Sequence, residues 1–311
     1  MFPWRQILAL FILFSHHSSY NQSTWVENKE MKNQITSYFG QPPPGLMPVL
    51  FAPDIFIHKE GYHSPVVFNK ELTEAYWSPM ERDHCIMYSL LINGEWSPPT
   101  ELKLDLEQGI GDPFITSDGK KLFFLSYASI GEEKPYQERI WLSEKTKGSW
   151  GTPTSINHDI SCHPTHWKCS VSEAGTIYFT SEINMDSSCQ DIYFAKYLND
   201  EYRMAKPLGN AVNTSGWEFA PCISPDESFL IFSRRDDSSR KTDLYISFRG
   251  EDGNWKTAID LGPQINSDEN DICPSLSPDG KYLFFLSTRD GISRIYWVDM
   301  AETLRSLSIK E

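Results

Sequence analysis

The stretch at residues 274–287, PSLSPDGKYLFFLS, decides how this chain reads. Asp279-Gly280 is a tight-turn pair, because glycine accepts the positive φ that a hairpin turn demands, and both flanks are strand-like. The second flank, Tyr282-Leu283-Phe284-Phe285-Leu286, is apolar without alternation. Neither of its faces can be wet, so it predicts a strand covered on both sides.

Working outward, the same turn recurs. Aligned on it, the chain offers Asn69-Lys70-Glu71, Asp118-Gly119, Ala174-Gly175, Asp226-Glu227 and Asp279-Gly280, at intervals of about fifty residues, which is the mark of a repeat architecture. Each copy holds the same pieces in the same order. A strand such as Ala220-Pro221-Cys222-Ile223-Ser224 precedes the turn. The doubly covered strand follows it: Ala75-Tyr76-Trp77, Leu122-Phe123-Phe124-Leu125, Ile177-Tyr178-Phe179, Phe229-Leu230-Ile231-Phe232 and Leu283-Phe284-Phe285-Leu286. A third strand carries Ile86-Met87, Ile140-Trp141, Ile192-Tyr193, Leu244-Tyr245 or Ile295-Tyr296. A second turn then leads to Trp96, Trp150, Tyr202 or Trp255, expected to open a fourth strand that runs to Asn157, Asn213 or Asn266 in the middle copies.

A four-stranded meander cannot hide both faces of its middle strands alone, whereas copies arranged radially bury each face against a neighbour. The expectation is an all-β fold, a five-bladed β-propeller of four-stranded antiparallel meanders. The last copy lacks a fourth strand. Residues 47–57, MPVLFAPDIFI, resemble fourth-strand segments such as residues 204–213, MAKPLGNAVN, and are expected to fill the gap and close the ring. Six blades are the alternative, which needs residues that the five copies leave unsupplied.

These copies resemble the WD40-like propeller repeat of the TolB type, whose hallmark is a Ser-Pro-Asp-Gly turn before an apolar strand. Ser277-Pro278-Asp279-Gly280 matches in full and Ser224-Pro225-Asp226-Glu227 nearly so. Thr116-Ser117-Asp118-Gly119 keeps the turn pair, Ser172-Glu173-Ala174-Gly175 keeps the Ser and Gly, and Phe68-Asn69-Lys70-Glu71 has drifted beyond the motif. The resemblance implies a fold rather than an activity, since the motif residues build turns and family members range from periplasmic scaffolds to parts of enzymes.

The chain has 311 residues, with 28 Lys and Arg against 42 Asp and Glu and a net charge of −14. That balance disfavours a nucleic acid or an anionic membrane surface as partner. Residues 1–20 read as an export signal, with Arg5 followed by an apolar run over residues 7–14 that is too short for a bilayer needing about 20 residues. Residues 21–44 read as a linker, 45–300 as the propeller and 301–311 as a short helix or frayed tail. A periplasmic or extracellular location follows, in which Cys85, Cys162, Cys169, Cys189, Cys222 and Cys273 are compatible with disulfides or with buried free thiols.

Chemistry is expected on the face that carries the longer connections. His63, Asp112, His166, Glu218 and Asp271 occupy roughly equivalent places before the first strands and are expected to converge on the central mouth. Such a ring suits a divalent metal, for which His63 and His166 are the candidate ligands, or the positioning of a sugar or peptide amine. Trp167 beside His166 offers a stacking surface. Glu218 and Asp271 are the candidate acid and base of a glycoside-cleaving site. Cys162, His163, His166 and Cys169 lie within eight residues, at a spacing unlike the usual zinc knuckles. No nucleophile elbow, phosphate-cradling loop or dinucleotide fingerprint is present in the sequence. Two readings stand: an exported non-enzymatic propeller that binds a protein, peptide or glycan without a cofactor, and a carbohydrate-active hydrolase or lyase.

Overall fold

The computed structural model describes residues 38–56, 58–80, 84–128, 137–156, 160, 165–182, 190–236 and 241–308. Five antiparallel meanders make up the structure. Blade 1 runs from its inner to its outer strand as Tyr62–Phe68, Glu74–Pro79, Met87–Ile92 and Thr100–Glu101. Blade 2 is Gly109–Ile115, Lys121–Ala128, Gln137–Thr146 and Thr154–Ser155. Blade 3 is Thr165–Val171, Ile177–Glu182, Gln190–Ala195 and Lys206–Pro207. Blade 4 is Trp217–Ile223, Phe229–Arg235, Asp243–Phe248 and Ile259–Asp260. Blade 5 is Asp271–Leu276, Tyr282–Ser287 and Arg294–Asp299, and its outer strand is Val49–Leu50, from the other end of the chain. The five inner strands neighbour one another in a closed cycle around one axis.

The doubly covered strands behave as their composition requires. In blade 2, Leu122 and Phe124 pack into the layer shared with blade 1, while Phe123 and Leu125 pack into the layer shared with blade 3. In blade 5, Leu283 and Phe285 face blade 4, and Phe284 lies 5.6 Å from Phe68 of blade 1. Ring closure is both hydrogen-bonded and apolar. Val49 pairs with Trp297 and Leu50 with Tyr296, and Phe51 is wholly buried 5.0 Å from Phe284 and 5.1 Å from Trp297.

The fourth strands differ from expectation. Each is two residues long, and the preceding aromatic belongs to a small separate hairpin in blades 1 to 3, at Glu95–Trp96, Ser149–Trp150 and Glu201–Tyr202. Prolines explain the break in blades 1 and 2: Pro98, Pro99 and Pro153 lack the N–H that a continuous ladder needs. Asn213 and Asn266 lie beyond the strands and extend the pairing with their amides. Asn213 accepts from the Ile192 N–H and donates to the Ile192 carbonyl, and Asn266 does the same at Leu244.

Every inner strand carries a bulge. In blades 2 to 5 its centre is a residue with left-handed backbone: Asp112 (φ 49°), Trp167 (φ 57°), Ala220 (φ 51°) and Cys273 (φ 55°). In blades 2, 4 and 5 the N–H turned out of the ladder finds a hydroxyl on the second strand of the preceding blade, whereas in blade 3 the Trp167 N–H finds the Glu138 carboxyl. Asp112 donates to Ser78 Oγ (3.2 Å), Ala220 to Thr180 Oγ1 (2.9 Å) and Cys273 to Ser233 Oγ (2.9 Å). The hydroxyl bond ties blade 1 to blade 2, blade 3 to blade 4 and blade 4 to blade 5 at the axis.

Cys85, Cys169, Cys222 and Cys273 are buried and form no disulfide, so the disulfide alternative fails for these four. Cys162 and Cys189 lie outside the described residues. Residues 301–311 begin as the helix α1, Ala301–Ser308, which seats Leu304 and Leu307 against the layer between blades 4 and 5. The expected export signal and most of the expected linker lie outside the described residues. Within residues 38–43, a turn at Tyr38–Gly40 is closed by a bond from the Gln41 N–H to the Tyr38 carbonyl. Among the described residues no helix is long and apolar enough to cross a membrane.

Candidate functional site

The two carboxylates chosen as acid and base are both wholly buried and bound by their own blades. Glu218 accepts from the Thr214 N–H (2.9 Å), the Thr214 hydroxyl (2.6 Å) and Arg234 Nε (2.8 Å). Asp271 accepts from the Ser267 N–H (2.5 Å), the Ser267 hydroxyl (2.7 Å) and Arg289 Nη2 (2.8 Å). The arginines also donate to the carbonyls of Val212 and Ile265 in the chain leading to each inner strand. All four carboxylate oxygens are occupied, which is the arrangement of a repeated clamp that fixes where the inner strand begins.

The expected ring of five does not form at one level. Counted from the buried residue that follows each bulge centre, at Pro65, Pro113, Lys168, Pro221 and Pro274, Glu218 and Asp271 sit one position earlier than His63 and His166 and two earlier than Asp112. The bulge re-aims each side chain, so one residue of offset changes which face it serves.

Three of the expected residues do meet. His63 Nδ1 lies 3.3 Å from Asp112 Oδ2, and the His63 ring stacks on Trp167 at 5.8 Å and 8°. Three residues not singled out in the sequence complete the group. Tyr127 donates its hydroxyl to Asp112 Oδ2, His84 stacks on the Tyr127 ring at 3.9 Å, and Glu138 Oε2 accepts the Trp167 N–H at 2.8 Å. Gly111 makes room for this packing, since a Cβ there would sit 2.9 Å from the Tyr127 ring. Asp112 is fully buried and its Oδ1 has no hydrogen-bond partner among the described residues.

The group divides its protons unevenly. Burial, then the Asp112 charge, pushes the Glu138 carboxyl up to about 8. Burial acts to raise Asp112 too, but His63, Tyr127 and Lys168 outweigh it and hold Asp112 below the ordinary carboxylate value. For His63, burial acts to lower the imidazole, and Asp112 and Glu138 overcome it and raise it. Near neutral pH the site therefore contains a protonated Glu138 beside an ionised Asp112 that is paired with His63.

Below this group the axis is blocked. Lys168 is fully buried on the inner strand of blade 3, and its Nζ donates at 2.6 Å to the carbonyl of Pro274 on the inner strand of blade 5. Blades 3 and 5 are not neighbours in the ring, so the side chain crosses the centre. Burial lowers the lysine pKa against the opposing influence of Cys222, Cys273 and Asp112. On the far side of Lys168, toward the hairpin turns between first and second strands, a cavity of 470 Å³ is lined by residues from all five blades. The sequence reading placed binding on the opposite face alone.

The side chain of His166, and with it the metal site it was to form with His63, lies outside the described residues, as do Cys162 and His163. Among the described residues no three His, Cys, Asp or Glu side chains are grouped to hold a metal ion. The sequence does carry a signal for Lys168, because four of the five equivalent positions are proline and the fifth is lysine. His84 and Glu138 leave no such trace, since His84 meets Tyr127 and Glu138 meets the Trp167 N–H only across blade boundaries.

No protein-family model and no curated protein matches the chain. Among solved structures it is similar to a chain assigned as TolB from Agrobacterium tumefaciens, with 17% identity, a TM-score of 0.54 and 78% of each chain covered. It is also similar to an endo-arabinase from Bacteroides thetaiotaomicron VPI-5482, with 14% identity, a TM-score of 0.55 and coverage of 79% of this chain and 96% of that one. A protein of unknown function from Dyadobacter fermentans DSM 18053 gives 12% identity, a TM-score of 0.53 and 78% coverage of each chain. At these identities the likeness is one of fold alone, and the chain itself is an all-β, five-bladed propeller.

Proposed function

We propose that the protein is an exported, non-enzymatic binding propeller that takes a protein segment, peptide or glycan at the mouth formed by His63, Asp112 and Trp167. The observation that carries this reading is the Oδ1 of Asp112, fully buried and without a hydrogen-bond partner among the described residues, beside a stacked imidazole and indole. A buried carboxylate oxygen without a donor is costly unless something completes it, and a hydroxyl, amide or ammonium of a bound ligand supplies the missing donor. The arginine-bound state of Glu218 and Asp271 supports binding over catalysis by that pair. His63 serves as a polar stacking face rather than as a metal ligand, and the site needs no cofactor.

The test is a binding screen of oligosaccharides and envelope-derived peptides by calorimetry and Trp fluorescence, with the Asp112→Asn and Trp167→Ala variants. Ligands that bind the parent and lose about tenfold or more in affinity with Asp112→Asn are the expected result, a ratio that one charge-assisted hydrogen bond accounts for. Binding that ignores both substitutions overturns the reading.

One observation favours the second reading, a glycoside-cleaving enzyme. Asp112 and Glu138 have proton affinities driven in opposite directions, the pattern of a base and an acid in one site. Turnover of a polysaccharide by the parent protein that is lost with Glu138→Gln and kept with Glu218→Gln selects it. Export is tested by sequencing the N-terminus of the mature protein, where cleavage near residue 20 is expected.

A further inference from the structure

The chamber on the hairpin-turn face is separated from the Asp112 mouth by Lys168 and differs from it in chemistry. Val67, Phe114, Ile115, Val171, Ile223 and Leu276 line it, at least one from each blade, with Cys222 among the deeper residues. At 470 Å³ it falls within the range of ligand pockets, roughly 300–1,000 Å³. Three of the hydroxyls that line it donate locally: Thr116 to Asp118 at 2.7 Å, Ser172 to Glu227 at 2.7 Å and Ser277 to Asp279 at 2.5 Å. A molecule inside the chamber therefore meets an apolar wall and, at Thr116, Ser172 and Ser277, hydroxyls that are already engaged. Such a lining favours an alkyl or aryl body over water or a sugar.

The rim carries charge of one predominant sign. Asp118, Glu144 and Glu173 border the chamber, and Lys121 is the one basic residue that does so. Lys121 is already held, with Nζ 3.6 Å from Glu144 and 5.6 Å from the centre of the Tyr197 ring. Glu173 is exposed and has no side-chain partner among the described residues. The surplus at the rim is carboxylate.

We propose that this chamber is a second binding site, for a small cationic amphiphile: an alkyl or aryl group fills the apolar volume and its amine rests among Asp118, Glu144 and Glu173. The proposal is independent of the reading of the Asp112 mouth, which lies on the other face. Three probes of equal chain length test it by calorimetry below their micellar concentrations: decylamine, decanol and decanoate. Decylamine is expected to bind one to one and about tenfold more tightly than decanoate, with decanol between them. Ala174→Trp, on an exposed turn residue at the opening, should abolish binding of all three without loss of β-sheet circular dichroism. The double substitution Glu144→Lys and Glu173→Lys should reverse the order of amine and carboxylate. Equal affinity for the three probes, binding of none, or binding unaffected by Ala174→Trp overturns the proposal. Asp112→Asn should leave decylamine affinity unchanged, and a loss there would place the probe at the other mouth and overturn it as well.

Discussion

Blades 4 and 5 begin their inner strands in the same way, and blades 2 and 3 do not. In blades 4 and 5 a buried acid, Glu218 or Asp271, is bound by a Thr or Ser four residues earlier and by an arginine on the second strand or just beyond it. The corresponding region of blades 2 and 3 instead has Asp112 bonded to Tyr127 within blade 2 and paired with His63 of blade 1, and Glu138 of blade 2 bonded to Trp167 of blade 3. The difference teaches where to look for function in a repeat protein. A solution used twice serves a need common to all blades, which is stability. A departure that leaves one carboxylate oxygen without a donor among the described residues and another carboxyl protonated near neutrality costs stability, and the binding proposed above would be the compensating gain.

The contrast can be broken most decisively at the clamp. Arg234→Ala or Arg289→Ala leaves a buried carboxylate without its cation, and a loss of about 3–5 kcal/mol in urea unfolding is expected, with ligand affinity at the mouth unchanged in whatever protein remains folded. A loss below about 1 kcal/mol would show that the repeated solution is not the stabilising one. Phe51→Ala should cost about 3 kcal/mol by the same measurement, because this ring is shared by blade 5 and blade 1 at the seam.

The irregular side is sharpened by pH. Glu138 binds its proton up to about pH 8 in the native state and only up to its ordinary value of 4.5 when unfolded. The native state therefore holds more protons between these limits, and stability falls as pH rises through that window. His63, raised in the native state, contributes with the same sign above the ordinary imidazole value of 6.5. Melting temperatures measured from pH 5 to pH 8 should decline in the parent and decline less in Glu138→Gln, which keeps an acceptor for the Trp167 N–H. Lys168 acts in the opposite direction. Its lowered native pKa means that the unfolded chain holds the extra proton, so stability rises with pH between the native value and the ordinary 10.5. Lys168→Met should flatten that alkaline rise. The smallest effect is expected from Asp279→Ala, which removes bonds to the Ser277 hydroxyl and the Lys281 N–H at an exposed turn and should cost about 1 kcal/mol.

Much of the fold was legible in the sequence because a radial repeat makes every blade meet the same demand. A strand such as residues 282–286 must be covered on both faces, and the only covers are the neighbouring copies. The seam was legible for the same reason, since blade 5 lacked an outer strand and residues 47–57 had no other place to pair. The candidate site was half legible. His63, Asp112 and Trp167 do come together, while Glu218 and Asp271 read as free acids because no pattern along the chain announces Arg234 and Arg289 as their partners.

From the order of its residues alone, then, this chain determined its strands, its five copies and the borrowed strand that closes them, because those depend on periodicity and on turns within one blade. Only the tertiary structure decided which carboxylates are bound by arginine, that Lys168 crosses the axis beside the Asp112 group, and that a cavity faces the hairpin turns. Those features depend on contacts between blades and on inner-strand bulges that shift a side chain from one face to another. Neither leaves a regular mark on the sequence.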